Sequence, residues 1–244
     1  MESEIIFLCH SWLLLAISQG KRAQNLSPGS IEPRLTLSHS GKSSVLEGIT
    51  KLPFPRDSGL CTRFATQITF RRAHTVSTTV TIIPHKGATQ AHADELRAFK
   101  SVTNAALEPI SFSKTMKDVH KLMGLSDSTQ DGEGKSTFSE AVLKVEVTGP
   151  EQEHVSVVDV PGIFRTATKG VTTLADASMV KSMVRRYMDN PRSVMLVVIP
   201  ANVDIATQEI LTLAEEADPD GHRTLGVLTK PDLVRMRANS RNIV

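Results

Sequence analysis

Cysteine is scarce in this sequence, which has only Cys9 and Cys61 among its 244 residues. So few cysteines exclude a small scaffold held together by disulfide bonds and favour a reducing compartment. Strong charge of one sign is also absent, because the formal net charge is +2. A balance so close to neutral gives no electrostatic reason to expect a nucleic-acid partner, and we predict none.

Long hydrophobic runs are missing as well. The best candidate, residues 5–17, is interrupted by polar residues and is shorter than the roughly 20 residues that a membrane-spanning helix needs. Glu2 and Glu4 precede it and give the wrong charge for a secretory signal peptide. Hydrophobic residues make up 40% of the chain and charged residues 22%, which is typical of a globular domain with a substantial core.

The order of the predicted elements indicates an α/β fold. Segments rich in Val, Ile, Thr and Phe predict strands, and apolar residues at helical spacing predict helices. The predicted strands are 64–71, 75–83, 142–147, 155–160, 194–199 and 224–228, and the predicted helices are 89–99, 114–123, 174–188 and 205–217. Strands that alternate with helices in the second half predict a three-layer sandwich with a mainly parallel central sheet.

Ser40-Gly41-Lys42-Ser43-Ser44 matches the second half of the phosphate-binding pattern G-x-x-x-x-G-K-[ST]. In that loop, backbone N–H groups surround phosphate oxygens, the lysine reaches the terminal phosphates, and the hydroxyl group ligates magnesium. A helix that begins at about Ser43 would direct its positive end at the anion. The first glycine of the pattern is replaced by Thr36. Taken alone, the match leaves open that Lys42 is a surface lysine at a helix start.

Two expectations follow for the surroundings of this loop. Only residues 31–37 are placed to form the strand that enters it, and Pro33 makes them a poor central strand because proline removes a ladder donor. In the nucleotide-free protein we expect the Lys42 side chain to lie in a solvent-filled loop. Its replacement by alanine should therefore remove nucleotide binding without unfolding the domain.

A second motif, Asp159-Val160-Pro161-Gly162, follows the predicted strand 155–160, at the end of the strand where α/β sheets bind ligands. The carboxylate of Asp159 can hold magnesium through water, and the N–H of Gly162 can donate to a terminal phosphate. By itself the motif is also compatible with a plain turn.

The third motif, Thr229-Lys230-Pro231-Asp232, follows the predicted strand 224–228. The carboxylate of Asp232 can accept two hydrogen bonds from the ring N–H and the amine of guanine, whereas adenine would leave it unpaired. The stem of Lys230 would pack along the base. These residue types in this order predict a site that selects guanine.

The order of the three motifs is that of a guanine-nucleotide site. Between the first two, a loop threonine is expected to close over magnesium and the terminal phosphate, and Thr62 is placed for that role. Its alternative role is that of a threonine at a strand start. A P-loop kinase or ATPase would also explain Lys42, but it leaves residues 229–232 without a function.

With these motifs in view, residues 52–70, 157–163 and 228–234 resemble the switch region and the two later motifs of fungal dynamin/Mx-type large GTPases. The likeness extends over about residues 40–234 and implies a dynamin-superfamily GTPase domain that binds GTP and hydrolyses it with Mg²⁺. It also implies a cytoplasmic protein that works peripherally on membranes or the cytoskeleton. The implied partners are guanine nucleotide, membranes, microtubules and other dynamin-type GTPases.

The resemblance also implies the roles of individual residues. The catalytic set would be Lys42, Thr62 and Gly162, and the metal ligands would be Ser43, Thr62 and Asp159. The residues implied to contact the nucleotide are Ser40, Gly41, Lys42, Ser43, Ser44, Asp159, Gly162, Thr229, Lys230 and Asp232.

The sequence departs from the family in three places. The family has Gly-Asp-Gln-Ser where this chain has Thr36-Leu37-Ser38-His39, the strand before the loop is poorly apolar, and residues 235–244 are basic and unlike the family. We therefore expect an atypical segment over 1–33 and a partial GTPase domain over 34–244, with impaired hydrolysis. The alternatives are a guanine-nucleotide-binding fragment that does not hydrolyse GTP and a truncated product without function.

Overall fold

The computed structural model describes the backbone of residues 4–10 and 109–110, and the backbone and side chains of 41–52, 62–105, 111–125, 136–164, 166–168, 171–203 and 208–233. The strands in this part of the chain are β1 (Glu4–His10), β2 (Ala65–Arg72), β3 (Ser77–Ile83), β4 (Lys100–Thr103), β5 (Val142–Gly149), β6 (Val155–Asp159), β7 (Ser193–Pro200) and β8 (Thr224–Thr229). The helices are α1 (Lys42–Thr50), α2 (Gln90–Ala98), α3 (Pro109–Leu122), α4 (Leu174–Met188) and α5 (Glu209–Ala217).

These strands form one sheet in the order β4-β3-β5-β2-β6-β1-β7-β8. The half made of β6, β1, β7 and β8 is parallel throughout. In the other half, β2 is antiparallel to β6 and parallel to β5, and β3 is antiparallel to both β5 and β4. The prediction of an α/β sandwich is confirmed, and its parallel half is the one whose strands carry the two later motifs.

The central position of β1 was not anticipated from the sequence. Glu4–His10 lies between β6 and β7, with Ile5 opposite both Ser156 and Ser193. This strand belongs to the segment 1–33 that we expected to be an atypical linker, so part of that segment contributes to the sheet. The strand predicted at 31–37 lies outside the described residues.

Two apolar clusters hold the helices against the two faces of the sheet. One gathers Leu46 of α1, Leu96 of α2 and Phe112 of α3. The other gathers Val184 of α4 and Leu213 of α5. The alternation of strand side chains explains how one sheet serves both clusters, since neighbouring residues of a strand point to opposite faces.

Helix α4 shows why its limits could be predicted from the sequence. The hydroxyl of Thr173 accepts a hydrogen bond from the Asp176 N–H, and the Asp176 carboxylate accepts one from the Thr173 N–H. This reciprocal cap satisfies two donors that have no partner inside the helix. Val180, Val184 and Met188 are buried at helical spacing against the sheet. The observed bounds are those predicted, 174–188.

Other predictions need adjustment at their ends. Helix α3 begins at Pro109, earlier than the predicted 114–123, whereas α5 begins at Glu209 and the first residues of the predicted 205–217 lie outside the described residues. Strand β4 was not predicted, because its four residues show no alternation of buried and exposed side chains. Within the described residues, no helix has the length and apolar character needed to span a membrane.

Asp218, which ends α5, provides a test of stability against pH. Hydrogen bonding to the Thr224 hydroxyl, helped by the N–H groups of Arg223 and His222, lowers the pKa of Asp218 below its ordinary value of 3.8. A carboxyl group with a lowered folded-state pKa stabilises the fold above its unfolded-state pKa. This contribution is lost as pH falls through the folded-state value.

We therefore expect Asp218→Asn to lower the free energy of unfolding at pH 7, with a difference from the unmodified chain that shrinks below pH 3.8. Urea unfolding across a pH series measures this difference. Asp220→Asn, in the same exposed turn, is the control and should change little at any pH. If Asp218→Asn lowers the free energy of unfolding by the same amount at acidic pH as at pH 7, the charge of Asp218 is not what stabilises the turn.

Candidate functional site

Helix α1 begins where the phosphate-binding motif predicts. Gly41 precedes it with φ of 84°, a left-handed backbone that glycine adopts without the steric cost of a Cβ atom. The Gly41 carbonyl accepts hydrogen bonds from Ser44 N at 2.9 Å and Val45 N at 3.2 Å, which closes the first turn. Ser40 and residues 36–39 lie outside the described residues.

The side chain of Lys42 is buried, with 4% of its surface exposed. Its ammonium group donates to the Asp159 carboxylate, to the Val160 carbonyl at 2.6 Å and to the Thr62 hydroxyl at 3.1 Å. Thr62 in turn donates to the second Asp159 oxygen at 3.0 Å. The expectation that Lys42 lies in a solvent-filled loop is therefore wrong, because the buried carboxylate supplies its partner.

The architecture explains why residues so far apart in sequence meet here. Asp159 is the last residue of β6, and β6 is the parallel neighbour of β1 in the middle of the sheet. Thr62 precedes β2, which pairs with β6 in the antiparallel sense and places Thr66 opposite Asp159. The start of β2 therefore comes to the carboxyl end of β6, which is the side of an α/β sheet where ligands bind.

The donor set at this point suits a magnesium ion. Mg²⁺ prefers hard oxygen ligands, and a carboxylate of Asp159 and a hydroxyl of Thr62 lie within hydrogen-bond distance of each other. The Ser43 hydroxyl, at the second position of α1, is only partly buried. These three residues are the predicted metal ligands, and two of them, Thr62 and Asp159, do converge.

The predicted guanine-reading residues lie at the end of β8. Because β6, β1, β7 and β8 are parallel, Asp159 and Thr229 end their strands on the same edge of the sheet. Lys230 has a positive φ of 44°, which turns the chain into a short 3₁₀ turn, Pro231–Leu233. Asp232 is in that turn and is exposed to solvent. Its carboxylate is therefore accessible to a base.

Thr229 has a property that the motif alone did not reveal. Its side chain is 1% exposed, and within the described part of the chain its hydroxyl has no hydrogen-bond partner. Its backbone carbonyl accepts from Ala201 N at 2.7 Å, which joins the ends of β7 and β8. A buried hydroxyl with unused hydrogen-bonding capacity thus stands where the guanine motif begins.

Two further predicted residues, Gly162 and Ser44, flank the Lys42 cluster in sequence. Gly162 lies in the loop after β6, partly buried, and Ser44 is exposed on the first turn of α1. The carbonyl of Val160 is a polar contact that sequence reasoning missed. No residue type signals it, because any residue at that position would offer the same backbone oxygen.

A sheet with a parallel half, helices on both faces and a lysine at the start of the first helix defines this domain as a P-loop GTPase-type domain. Comparison with known families agrees, because the model of the Dynamin family matches residues 38–231. The chain belongs to the dynamin family.

Individual relatives are similar over most of this chain. The interferon-induced GTP-binding protein Mx2 of Macaca mulatta is 34% identical over 205 residues, which cover 84% of this chain and 25% of Mx2. The interferon-induced GTP-binding protein Mx of Epinephelus coioides is 35% identical over 195 residues, which cover 80% of this chain and 28% of that protein. The chain thus spans about a quarter of the length of these relatives.

Proposed function

We propose that this chain binds GTP together with Mg²⁺ and is the nucleotide-binding part of a dynamin-type GTPase. The observation that carries the proposal is the meeting of Lys42, Thr62 and Asp159 at one point. They come from three separate segments of the chain, the phosphate-binding motif, the loop before β2 and the motif after β6, and the sequence assigns each of them to the same nucleotide. Membership of the dynamin family and the GTP-binding relatives add support.

The chemistry follows from the charges of the site. Phosphate oxygens would replace the Asp159 carboxylate as the partner of the Lys42 ammonium group, because both are anionic acceptors. Ser43, Thr62 and Asp159 would hold the metal, which supplies positive charge at the phosphates when it is bound. Thr62 would orient the attacking water, and the N–H of Gly162 would donate to the terminal phosphate as negative charge develops there.

Selection of guanine is assigned to the end of β8. We propose that Asp232 accepts from the base and that the stem of Lys230 packs along it. Ser40, Gly41 and Ser44 would surround the phosphates with backbone and hydroxyl donors. In this assignment the GTPase domain covers residues 34–244, and β1 adds a strand from the preceding segment.

Asp232→Asn should weaken GTP binding by about tenfold or more and favour xanthine nucleotides, because the amide presents a donor where xanthine presents an acceptor. Competition of GTP, ATP and XTP against a fluorescent guanine nucleotide measures both effects. Asp220→Asn is the matched control, because Asp220 is also exposed but precedes β8, whereas Asp232 follows it. This control should leave the order of affinities unchanged. Equal competition by ATP and GTP in the unmodified chain would contradict the proposal and favour an ATPase or kinase.

A second candidate is a module that binds guanine nucleotide without hydrolysing it. The observation in its favour is the run Thr36-Leu37-Ser38-His39, which lacks the glycine and the catalytic side chains that the dynamin family has at these positions. Phosphate release distinguishes the two candidates, since both bind GTP and only the first produces phosphate.

The remaining functional assignments are proposals that rest on family membership. We propose a cytoplasmic protein that acts peripherally on membranes or microtubules and associates with other dynamin-type GTPases. Co-sedimentation with vesicles and with microtubules, with and without GTP, tests each partner separately.

A further inference from the structure

Three consecutive residues before β5, Thr137, Phe138 and Ser139, each contact a loop that carries a residue of the candidate site. Thr137 donates its hydroxyl hydrogen to the Val171 carbonyl at 3.0 Å. Val171 lies near the end of the loop that begins with Gly162 and leads into α4. We refer to these three residues as the 137–139 segment. Its first residue, Thr137, is therefore bonded to the end of the loop after β6 that leads into α4.

The second residue holds the near end of the same loop. The ring of Phe138 stacks on the ring of Phe164, with centroids 5.8 Å apart and planes inclined by 22°. Phe138 is 3% exposed and belongs to the apolar cluster under α4, and Phe164 packs against that cluster. Phe164 follows Gly162 by two residues, so the stack fixes the backbone close to the proposed phosphate donor.

The third residue is joined to the other loop of the site. The N–H of Ser139 donates to the Arg63 carbonyl at 2.9 Å. Arg63 follows Thr62 directly, and the Thr62 hydroxyl is in contact with Lys42 and Asp159. The 137–139 segment thus touches the loop of Thr62 on one side and both ends of the loop of Gly162 on the other.

We propose that the 137–139 segment couples these two loops, and that Thr137, Phe138 and Phe164 are positioning residues for Thr62 and Gly162. This inference rests on the proposed function, because it concerns the two residues assigned to the terminal phosphate. A displacement of either loop would shift the 137–139 segment through these contacts. The segment would then shift the other loop. The terminal phosphate would therefore be recognised by both loops together.

Two variants weaken the segment without removing a proposed nucleotide contact. Thr137→Val removes the hydroxyl group that bonds to Val171 and keeps the side-chain shape. Its control is Thr115→Val on α3, where the lost bond is also from a threonine hydroxyl to a backbone carbonyl, that of Ser111 at 2.9 Å. Phe164→Leu removes the stack, and Phe112→Leu in the other apolar cluster is its control for a general loss of packing.

The first measurement compares affinities for a non-hydrolysable GTP analogue and for GDP. A loss of general stability weakens both ligands alike, whereas a loss of loop position weakens only the triphosphate. We expect Thr137→Val to reduce the preference for the triphosphate by about fivefold, the effect of one typical hydrogen bond. Phe164→Leu should reduce it by at least as much, and both controls should keep the preference of the unmodified chain.

The second measurement is amide hydrogen exchange in the nucleotide-free chain, and it does not depend on nucleotide binding. We expect Phe164→Leu to accelerate exchange at the Ser139 N–H about fivefold, although Phe164 does not touch that group. Thr137→Val should do the same. Faster exchange confined to residues 160–171 in both variants, or equal acceleration in the controls, would overturn the coupling.

The two measurements separate this inference from the proposed function. If the unmodified chain binds neither the analogue nor GDP, the proposed function is overturned and the exchange result alone decides whether the loops are coupled. If nucleotide binds and the triphosphate preference of Thr137→Val and Phe164→Leu equals that of their controls, the positioning role is overturned.

Discussion

Replacing Lys42 by alanine is expected to abolish guanine-nucleotide binding and to lower the free energy of unfolding of the nucleotide-free chain by about 3–5 kcal/mol. The first effect follows from loss of the cation that would face the phosphates. The second follows from the Asp159 carboxylate, which is 3% exposed and would lose its ion-pair partner inside the protein. A buried charge without a partner is far more costly than a broken surface pair.

Two further variants separate these effects. Lys42→Ala combined with Asp159→Asn removes the unpaired charge, so it should recover most of the lost stability while nucleotide binding stays absent. Lys181→Ala breaks an exposed pair with Glu209, in which the lysine side chain is 46% exposed. Such pairs contribute about 0–1 kcal/mol, so this control should unfold close to the unmodified chain.

Urea unfolding without nucleotide and titration with a fluorescent guanine nucleotide measure the two quantities on the same samples. If Lys42→Ala unfolds like Lys181→Ala, the buried pair does not stabilise the nucleotide-free chain. If it binds nucleotide like the unmodified chain, Lys42 is not a phosphate ligand. From the sequence alone we expected loss of binding without loss of stability, because no motif indicates that Lys42 is buried and paired with Asp159.

The parts of the fold that the sequence revealed are those specified by local patterns. Helix α4 carries both a capping pair and buried residues at helical spacing, and its limits agree with the prediction. Strand β7 is a continuous apolar run, as expected for a parallel strand covered on both faces, and it was predicted to within one residue at each end.

The parts that the sequence did not reveal depend on distant partners. Strand β1 is defined by pairing with β6 and β7, which come more than a hundred residues later, and the run 5–17 carries no local signal of that place. Among the described strands, β4 pairs only with β3, and its side chains are mostly exposed. The same limit applies to the contacts of the 137–139 segment, since the residues it joins are brought together only by the completed sheet.

The candidate site also has features that the sequence predicts and features that it does not. Residue types and order predicted one nucleotide site for Lys42, Thr62 and Asp159, and the structure brings the three side chains together. Their mutual hydrogen bonds were not predictable. Those bonds depend on how deeply Lys42 is buried and on the Val160 carbonyl, and neither is encoded in a motif.

Replacing Thr36-Leu37-Ser38-His39 with Gly-Asp-Gln-Ser is expected to raise GTP turnover by about a hundred- to a thousandfold. These residues lie outside the described part of the structure, so the expectation rests on the sequence. A loop glycine can adopt positive φ and lets the backbone approach phosphate, whereas β-branched Thr36 resists both. Ser38 and His39 stand where the dynamin family has its catalytic Gln and Ser, and loss of one donor aimed at developing charge costs about 2.7–4 kcal/mol.

Phosphate release by the unmodified and the replaced chain decides this prediction, with nucleotide affinity measured on both. Affinity should change much less than turnover, because the replaced groups act mainly on the charge that develops in the transition state. The gain must also depend on the proposed site, so adding Lys42→Ala with Asp159→Asn to the replaced chain should abolish it while the chain stays folded. Ordinary turnover by the unmodified chain, or no gain in a folded replaced chain, would show that residues 36–39 do not limit hydrolysis.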